Sequence, residues 1–433
     1  MPDTCSISSW TALASESQRA RILPILEELM ATLGQGEEAS LAGGLAGIAL
    51  FFGYYSKMPG QEARQERAAE LLSQAVVGVR QSRGAAFYSG FSGIAWAVEH
   101  LQQQFQDPGQ AAEDVNGDVD EVLLELLAPA PWRGQYDLVS GLTGFSVYAL
   151  ERRTKACARQ ILARILDHLE AMAVPRTIGI SWPTGAELLP PWQRREAPQG
   201  YFNLGLAHGV PGVLLVLAAM MQAARRYSEL DARRAEKLLE GGMTWILSQF
   251  QDPKTGSYLA SWSPLEQERA AGEGNRVAWC YGDLGVSLAL LQVARVTGRS
   301  DWEAKSLSLA RLAAARPVAS SGVRDACLCH GSAGNALMFQ RLHQQTGEDC
   351  FRQAFEMYLE HLLRARIPGG SWGGYTFYQP SMDAAGEVVT ADPYHPDPSF
   401  LEGSAGVGLA LLAAIGVEPA WDRCLLLSLA NDF

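Results

Sequence analysis

Two cysteines and one histidine stand at matching places ahead of a repeated Gly-x-x-Gly motif. Cys280 lies two residues before Gly282, and Cys329 lies two residues before Gly331 with His330 between them. Two thiolates and an imidazole are donors that suit zinc, and a set of three leaves the fourth tetrahedral position open. The pattern therefore predicts one catalytic Zn²⁺ per chain, placed so that a thiol bound at the open position becomes nucleophilic.

The same residues allow alternatives to this ligand set. Structural zinc sites normally use four protein ligands, often in C-x-x-C pairs, and the chain contains no C-x-x-C. Without the shared register, a buried cysteine would more often be an inert hydrophobic residue. Cys327 competes with Cys329 as a ligand because only one residue separates them. We prefer Cys329, whose offset from its glycine equals that of Cys280.

A histidine and an aspartate precede two further copies of the motif. His208 lies directly before Gly209, and Asp137 lies four residues before Gly141. The imidazole could be a fourth zinc ligand, a general acid or base, or a core histidine bonded to the backbone. Asp137 could orient that imidazole and raise its basicity, or it could cap the following helix, and the two roles are compatible.

The motif recurs seven times and runs each time into an apolar stretch. These stretches are apolar nearly all round, as expected of helices that pack on every side. The segments between them, such as TKACARQILARILDHLEAMA, are amphipathic with helical spacing and predict surface helices. The first glycines of the seven copies are Gly44, Gly90, Gly141, Gly209, Gly282, Gly331 and Gly403.

Seven inner helices alternating with seven outer helices predict an all-α fold, an α/α toroid, forming one domain over residues 1–433. Because each inner helix begins at the glycine motif, all seven N-termini should lie at one rim, where unpaired N–H groups favour anions such as thiolates. The mouth of the ring is therefore the predicted site. In repeats one, two and seven we expect the motif to serve packing alone, since little reactive chemistry precedes it.

Two kinds of segment interrupt the helical pattern. The Pro- and Trp-rich run 174–203 is predicted to be an insertion. The glycine-rich stretches 252–262 and 369–378 are predicted to form small β-hairpins on the rim. We assign no chemistry to these segments.

Composition favours a globular cytoplasmic protein and excludes several other classes. The 433 residues are 48% hydrophobic and 19% charged, with no run near the roughly 20 apolar residues of a transmembrane segment. The start, MPDTCSISSW, does not resemble a secretory signal. Seven scattered cysteines argue against a disulfide framework. A net charge of −12 without a dense Lys/Arg stripe argues against nucleic acid as a partner.

The repeats and their polar residues together resemble one known family. The seven copies, combined with the runs WCYG at 279–282, CHG at 329–331 and AHG at 207–209, are similar to the lanthipeptide (lantibiotic) cyclases, and the similarity extends from Gly44 to Gly406. It implies an α/α toroid with a single zinc. By the same resemblance the zinc ligands are Cys280, Cys329 and His330, and the catalytic residues are His208, Asp137, Arg276 and Tyr281.

The resemblance implies thioether ring closure in a ribosomally made peptide whose Ser and Thr residues have been dehydrated. A peptide thiolate would add to dehydroalanine or dehydrobutyrine, with His208 moving a proton and Arg276 stabilising the enolate oxygen. The implied partners are the dehydrated precursor peptide, leader plus core, and a dehydratase and an exporter that would bring the protein to the inner face of the membrane. The chain length leaves no room for a fused dehydratase domain, which implies a stand-alone, class I cyclase.

Rival hypotheses stay open beside the cyclase. Eukaryotic relatives associated with glutathione addition usually have a histidine after the first zinc cysteine, and Tyr281 at that place favours a peptide cyclase. A protein prenyltransferase β-subunit also alkylates a zinc-bound thiolate on a toroid, but with Asp, Cys and His ligands and a partner subunit. A third hypothesis is a non-enzymatic scaffold that captures glutathione or peptide thiols.

Overall fold

The computed structural model describes residues 10–79, 84–106, 114–251, 258–268, 275–381, 383 and 389–429. Within these residues the chain forms fifteen α-helices and seven short strands. In chain order the helices are α1 (Glu16–Thr32), α2 (Leu45–Tyr55), α3 (Arg64–Gly78), α4 (Phe91–Phe105), α5 (Gly117–Leu126), α6 (Leu142–Glu151), α7 (Ala156–Met172), α8 (Pro191–Glu196), α9 (Val210–Ala224), α10 (Ala232–Ser248), α11 (Asp283–Thr297), α12 (Ser300–Ala315), α13 (Ser332–Thr346), α14 (Asp349–Arg364) and α15 (Ser404–Ala414).

Fourteen of the described helices alternate between an inner and an outer layer, and the predicted α/α toroid is confirmed. The inner helices are α2, α4, α6, α9, α11, α13 and α15, and each begins directly after the first glycine of one repeat. In α2 and α15 every residue is buried, as their all-round apolar sequences predict. The outer helices bury one face only; α7, for example, buries an apolar stripe that includes Ile161, Ile165 and Leu169.

The ring closes both through helix packing and through the backbone at the rim. Each inner helix packs against the next, and α15 packs back against α2. At the rim, the segments leading into the seven inner helices are joined by a closed cycle of N–H···O=C hydrogen bonds. The donor and acceptor residues are Ala42 to Tyr88, Tyr88 to Val139, Leu138 to Ala207, Ala207 to Cys280, Cys280 to Cys329, Cys329 to Leu401, and Leu401 to Ala42.

The two glycines of each motif are needed because backbone approaches them closely. At Gly285, the second glycine of repeat five, an added Cβ would lie 2.2 Å from the carbonyl oxygen of Trp279. The first glycine of that repeat, Gly282, has a φ of +98°, which L side chains rarely adopt. A side chain at either place would push the rim segment off its helix and displace the residues just before it.

The centre of the ring is filled by residues 420–427, which include a 3₁₀ helix at Ala420–Leu425. Two rim residues reach this segment through their side chains: the Tyr88 hydroxyl donates to the Cys424 carbonyl at 2.8 Å, and Trp279 Nε1 donates to the Leu425 carbonyl at 2.7 Å. The filled centre therefore supports Trp279, the residue before Cys280.

Short antiparallel strands decorate the helical ring. They are β1 (Val174–Pro175), β2 (Ile180–Ser181), β3 (Thr184–Gly185), β4 (Gly200–Asn203), β5 (Trp262–Pro264), β6 (Phe377–Tyr378) and β7 (Tyr394–His395). β1 pairs with β2, β4 lies between β3 and β5, and β6 pairs with β7. The predicted insertion 174–203 thus contains α8 and four of these strands, two of which form a local hairpin.

Of the two predicted hairpins, the one at 369–378 is not formed as a local pair, whereas the one at 252–262 lies largely outside the described residues and is flanked by a hydrogen bond from Gln251 N to the Tyr258 carbonyl at 2.8 Å. Residues 252–257 of the first stretch lie outside the described residues, and β5 beyond them pairs with β4 of the insertion. In the second stretch, Gly373 and Gly374 have positive φ angles and turn the chain back so that Ile367 N donates to the Gly374 carbonyl at 2.7 Å. That turn sends β6 towards β7, a partner much later in the chain.

None of the helices in the described ranges combines the length and the apolar character that crossing a bilayer requires.

Candidate metal centre and active site

The structure brings Cys280, Cys329 and His330 together at the mouth of the ring. The two cysteines occupy the same position in neighbouring repeats, and Cys280 N donates to the Cys329 carbonyl at 3.4 Å in the rim cycle. One ligand atom from each of the three residues lies within 4.8 Å of the other two. Both cysteines are buried, whereas the His330 side chain is 18% exposed. The shared register with the glycines therefore translates directly into proximity.

Asp325 lies close to the histidine of this group. Its Oδ2 lies 3.8 Å from His330 Nε2 and accepts from Tyr378 N of β6 at 3.0 Å. Its Oδ1 accepts from Cys327 N at 2.9 Å. At 3.8 Å the carboxylate lies beyond hydrogen-bond distance of Nε2, so it acts on the imidazole through its charge.

Cys327, the alternative ligand, is held differently from Cys329. Its sulfur accepts from the His330 backbone N–H at 3.4 Å, and burial raises its thiol pKa well above the ordinary value, with the charge of Asp325 adding to the effect. Asp325, Cys327 and His330 do form a second group within 4.8 Å. The carboxylate in that group is already engaged by two backbone amides, which favours Cys329 as the ligand.

The two thiols of the first group act on each other electrostatically. A hydrogen bond from Cys329 lowers the pKa of the Cys280 thiol well below its ordinary value, and His330 assists this against the effect of burial. The same bond raises the pKa of Cys329. One thiolate is therefore stabilised before any metal is considered. Sulfur and imidazole nitrogen donors prefer zinc to hard cations such as Mg²⁺ or Ca²⁺, so the donor chemistry fits Zn²⁺.

His208 and Asp137 form a hydrogen-bonded pair beside this group. His208 Nδ1 and Asp137 Oδ2 lie 2.7 Å apart; since a carboxylate only accepts, Nδ1–H is the donor and Nε2 is left free in the neutral ring. Asp137 also accepts from Ser140 N at 2.8 Å, so it braces the turn before α6 as well. Burial works against a charged imidazole, but the bond and charge of Asp137 raise the pKa of His208 above its ordinary value.

Tyr281 and Arg276 complete the set predicted from the sequence. The Tyr281 ring stacks on the His208 ring, with centroids 5.9 Å apart and planes inclined by 22°, and burial raises the pKa of its hydroxyl. Arg276 is exposed, and its backbone carbonyl packs against Gly282. Its positive charge adds a smaller lowering effect on the pKa of Cys280, after the larger effects of Cys329, burial and His330. All seven predicted residues therefore lie at or beside one mouth.

Sequence reasoning missed three polar residues of this region. Asn203 contacts Tyr281, Asp325 lies close to His330, and Glu402 lies directly before the first glycine of repeat seven. Burial raises the pKa of Glu402, which His330 partly offsets. A signal was present for two of them: Asn203, Arg276 and Asp325 all stand six residues before the first glycine of their repeats. Extending the register search back to that offset would have found them.

Comparison with known proteins gives a consistent result. Residues 36–426 match the family model described as "Lanthionine synthetase C-like protein". The chain is 24% identical over 350 residues to the nisin biosynthesis protein NisC of Lactococcus lactis subsp. lactis, covering 75% of this chain and 79% of that one. It is 25% identical over 323 residues to "Glutathione S-transferase LANCL1" of Danio rerio, covering 70% and 69%. The solved structure of nisin cyclase shares the fold, with a TM-score of 0.69 and 19% identity over 95% of this chain and 98% of that one.

Proposed function

Because the chain belongs to the lanthionine synthetase C-like family, we propose that it is a zinc-dependent lanthipeptide cyclase. It joins cysteine thiols of a precursor peptide to dehydroalanine or dehydrobutyrine residues and so forms lanthionine or methyllanthionine thioether rings. The substrate carries leader and core segments, and a dehydratase acts before the cyclase and an exporter after it, in the cytoplasm. The observation that carries the proposal is the convergence of Cys280, Cys329 and His330 beside the His208–Asp137 pair.

Cys280, Cys329 and His330 are proposed to hold the zinc, with the negative charge of Asp325 beside the imidazole. Zinc held there would supply Lewis acidity, which would lower the pKa of a bound thiol below its free value of about 8.5. The chain fixes the relative positions of the three donors. Three protein donors come from two adjacent rim segments that are hydrogen-bonded to each other, so the opening between them is set by the backbone cycle of the rim.

His208 is proposed to move a proton at Nε2. Nδ1–H is committed to Asp137, so Nε2 is the nitrogen available to the substrate. It either accepts the proton of the peptide thiol or delivers a proton to the α-carbon after the sulfur has added to the β-carbon. Asp137 stabilises the imidazolium in both cases, and it keeps the ring in one tautomer for each new cycle.

Arg276 and Tyr281 are proposed to act on the carbonyl side of the acceptor residue. When sulfur bonds to the β-carbon, the electron pair of the C=C bond moves into the adjacent carbonyl and places negative charge on its oxygen. A guanidinium and a neutral phenol can both donate hydrogen bonds to that oxygen, and such donors act most strongly where charge develops in the transition state.

Mass spectrometry with thiol labelling tests the proposal. A dehydrated candidate peptide is incubated with the zinc-loaded chain and then treated with a thiol-alkylating reagent. Ring closure adds no mass but hides the thiols, so fewer alkyl groups are added than without enzyme. Zinc-stripped chain, and the same chain reloaded with zinc, are the matched controls. A peptide that remains fully alkylatable in all three samples contradicts the proposal.

A second candidate function rests on the similarity to a protein named glutathione S-transferase. In that case the metal centre would bind glutathione, and the glutathione sulfur would add to a dehydrated residue of a separate molecule. The same experiment discriminates the two functions when glutathione is included. Glutathione transfer increases the peptide mass by one glutathione per addition and leaves the peptide thiols open to alkylation, whereas cyclisation gives neither result.

A further inference from the structure

The buried amide of Asn203 lies against the hydroxyl of Tyr281. Asn203 is the last residue of β4 and is only 1% exposed. Its Nδ2 donates to the Tyr281 oxygen at 3.0 Å. Neither the repeat analysis nor the family resemblance assigned any role to Asn203, although it stands at the same offset from its glycine as Arg276.

The direction of this hydrogen bond is determined by a second contact. Gly205 N donates to Asn203 Oδ1 at 2.9 Å. A rotated amide would set its NH₂ group against the Gly205 N–H, donor against donor, so the carbonyl must face Gly205 and the NH₂ must face Tyr281. The backbone of Asn203 is held in turn by β4–β5 pairing, with Trp262 opposite. The amide therefore has one orientation.

A tyrosine oxygen that accepts a hydrogen bond keeps its own hydrogen for another partner. Among the described residues, no acceptor for the Tyr281 hydroxyl hydrogen is recorded. The ring is also fixed by its stack on His208, at 5.9 Å between centroids. The hydroxyl hydrogen is thus left for a group that enters the mouth.

We propose that Asn203 is a positioning residue, which accepts no proton itself but makes the Tyr281 hydroxyl a donor aimed at the substrate. The inference rests on the proposed cyclase function, where the acceptor is the enolate oxygen of the residue that receives the thiol. An oriented donor stabilises the transition state because it needs no reorganisation when negative charge develops on that oxygen.

The substitution Asn203→Asp tests this by changing one group only. The new side chain has nearly the same size and keeps an oxygen for Gly205 N, but it presents an acceptor to Tyr281 and so takes up the hydroxyl hydrogen. We expect kcat for ring closure to fall about 100-fold. The KM for the dehydrated peptide and the bound zinc should stay within about threefold of wild type, because neither depends on this donor.

A double-mutant cycle separates hydrogen bonding from the added negative charge. In the Tyr281→Phe background the donor is already absent, so Asn203→Asp should lower kcat by less than about threefold. The Tyr201→Phe background removes the other tyrosine hydroxyl that interacts with the Asn203 side chain, and there the full loss should remain if Tyr281 is the partner that matters. An equal loss in the Tyr281→Phe background, or a kcat for Asn203→Asp close to wild type, overturns the proposal.

A measurement without peptide tests the contact independently of activity. The chain has five asparagines, so selective ¹⁵N-asparagine labelling gives few side-chain amide signals in an NMR spectrum. The signal that disappears in Asn203→Asp should shift in Tyr281→Phe, while the other asparagines serve as internal references. An unshifted signal overturns the contact. If the wild type closes no ring, the proposed function and the role of Asn203 in it both fail, and the amide signal still shows whether the contact exists.

Discussion

Two histidine–carboxylate pairs in the described part of the chain are joined by a hydrogen bond, and they differ in what surrounds them. At the mouth, His208 pairs with Asp137 at 2.7 Å and its side chain is 38% exposed. Near the C-terminal ends of the inner helices, His100 pairs with Glu151 at 2.9 Å and is completely buried. The Tyr54 hydroxyl donates to His100 Nε2 at 2.8 Å, so both ring nitrogens of His100 are occupied.

The difference shows that a paired imidazole is a functional group only when one nitrogen is left open. Burial lowers the pKa of His100 although Glu151 opposes it, and Arg423 donates to Glu151 at 2.9 Å to complete a closed cluster. At the mouth, Asp137 outweighs burial and raises the pKa of His208 instead. The first arrangement binds helices together, and the second leaves a nitrogen available for a substrate.

The cysteines also include members of the candidate metal centre and members that only pack in the core. Replacing a cysteine of the metal centre gives the largest expected effect. Cys329→Ala should reduce bound zinc below about a tenth of one ion per chain and lower turnover by more than about 1,000-fold, because it removes one of only three protein donors. Cys424→Ala, a buried thiol in the filled centre of the ring, should retain both. Zinc is measured by atomic emission on purified variants. Loss of zinc in Cys327→Ala with retention in Cys329→Ala would reverse the ligand assignment.

Replacing His208, whose Nε2 is available to a substrate, gives the next largest effect. His208→Ala should keep stoichiometric zinc and lose turnover by about 100-fold or more, the usual contribution of a general acid or base. Initial rates of thiol disappearance, measured at saturating peptide, report it. Asp137→Asn is the companion variant, since it keeps a hydrogen-bond partner for Nδ1 without the charge and should fall between wild type and His208→Ala. Unchanged rates for both variants would mean that the His208–Asp137 pair is structural, like the His100–Glu151 pair.

Replacing His100, both of whose ring nitrogens have partners, should lower the stability of the fold and leave the catalytic rate unchanged. His100→Phe keeps a ring against Trp96, whose centroid lies 4.6 Å from that of His100, but leaves Glu151 and Tyr54 each without one partner. We expect the free energy of unfolding to fall by about 2 kcal/mol. Denaturant unfolding measures it, and kcat per folded molecule should equal that of wild type. A selective loss of kcat would show that this cluster communicates with the mouth.

The repeat pattern predicted the ring and its mouth because each of the seven copies has the same two glycines, which the close approach of the backbone requires. A shared offset also predicted that Cys280 and Cys329 meet, since residues at equal positions in neighbouring repeats become hydrogen-bonded neighbours in the rim cycle. Three members of the closed cluster follow the same rule, since Tyr54, His100 and Glu151 each stand ten residues after the first glycine of their repeats. Their side chains meet because α2, α4 and α6 are neighbouring inner helices. Arg423 lies outside the repeats, so its contact with Glu151 could not be predicted from a shared offset.

The contacts that involve the short strands could not be predicted from the repeat pattern. Asp325 is tied to β6 through Tyr378 N, and β6 is placed by a turn whose glycines have positive φ. Asn203 meets Tyr281 because β4 runs beside the rim. The periodic part of the chain thus predicts where donors converge, whereas the strands that orient them depend on pairings between distant residues.

The smallest expected effect is a contrast in pH dependence, which follows from the opposite pKa shifts of the two histidines. A raised pKa, as for His208, means that the folded state holds the proton more tightly, so its contribution to stability is present below the unfolded value of 6.5 and is lost as pH rises through the folded value. A lowered pKa, as for His100, means that the unfolded state takes the proton first, so stability is lost as pH falls below 6.5.

In zinc-free protein, the destabilisation caused by His208→Ala should therefore shrink between about pH 5.5 and about pH 8.5, and that caused by His100→Phe should grow. Because His208 is partly exposed, its change should be less than about 1 kcal/mol. Parallel changes in the two variants would mean that Asp137 and Glu151 act on their histidines alike, and the distinction between an open and a closed pair would then lose its electrostatic basis.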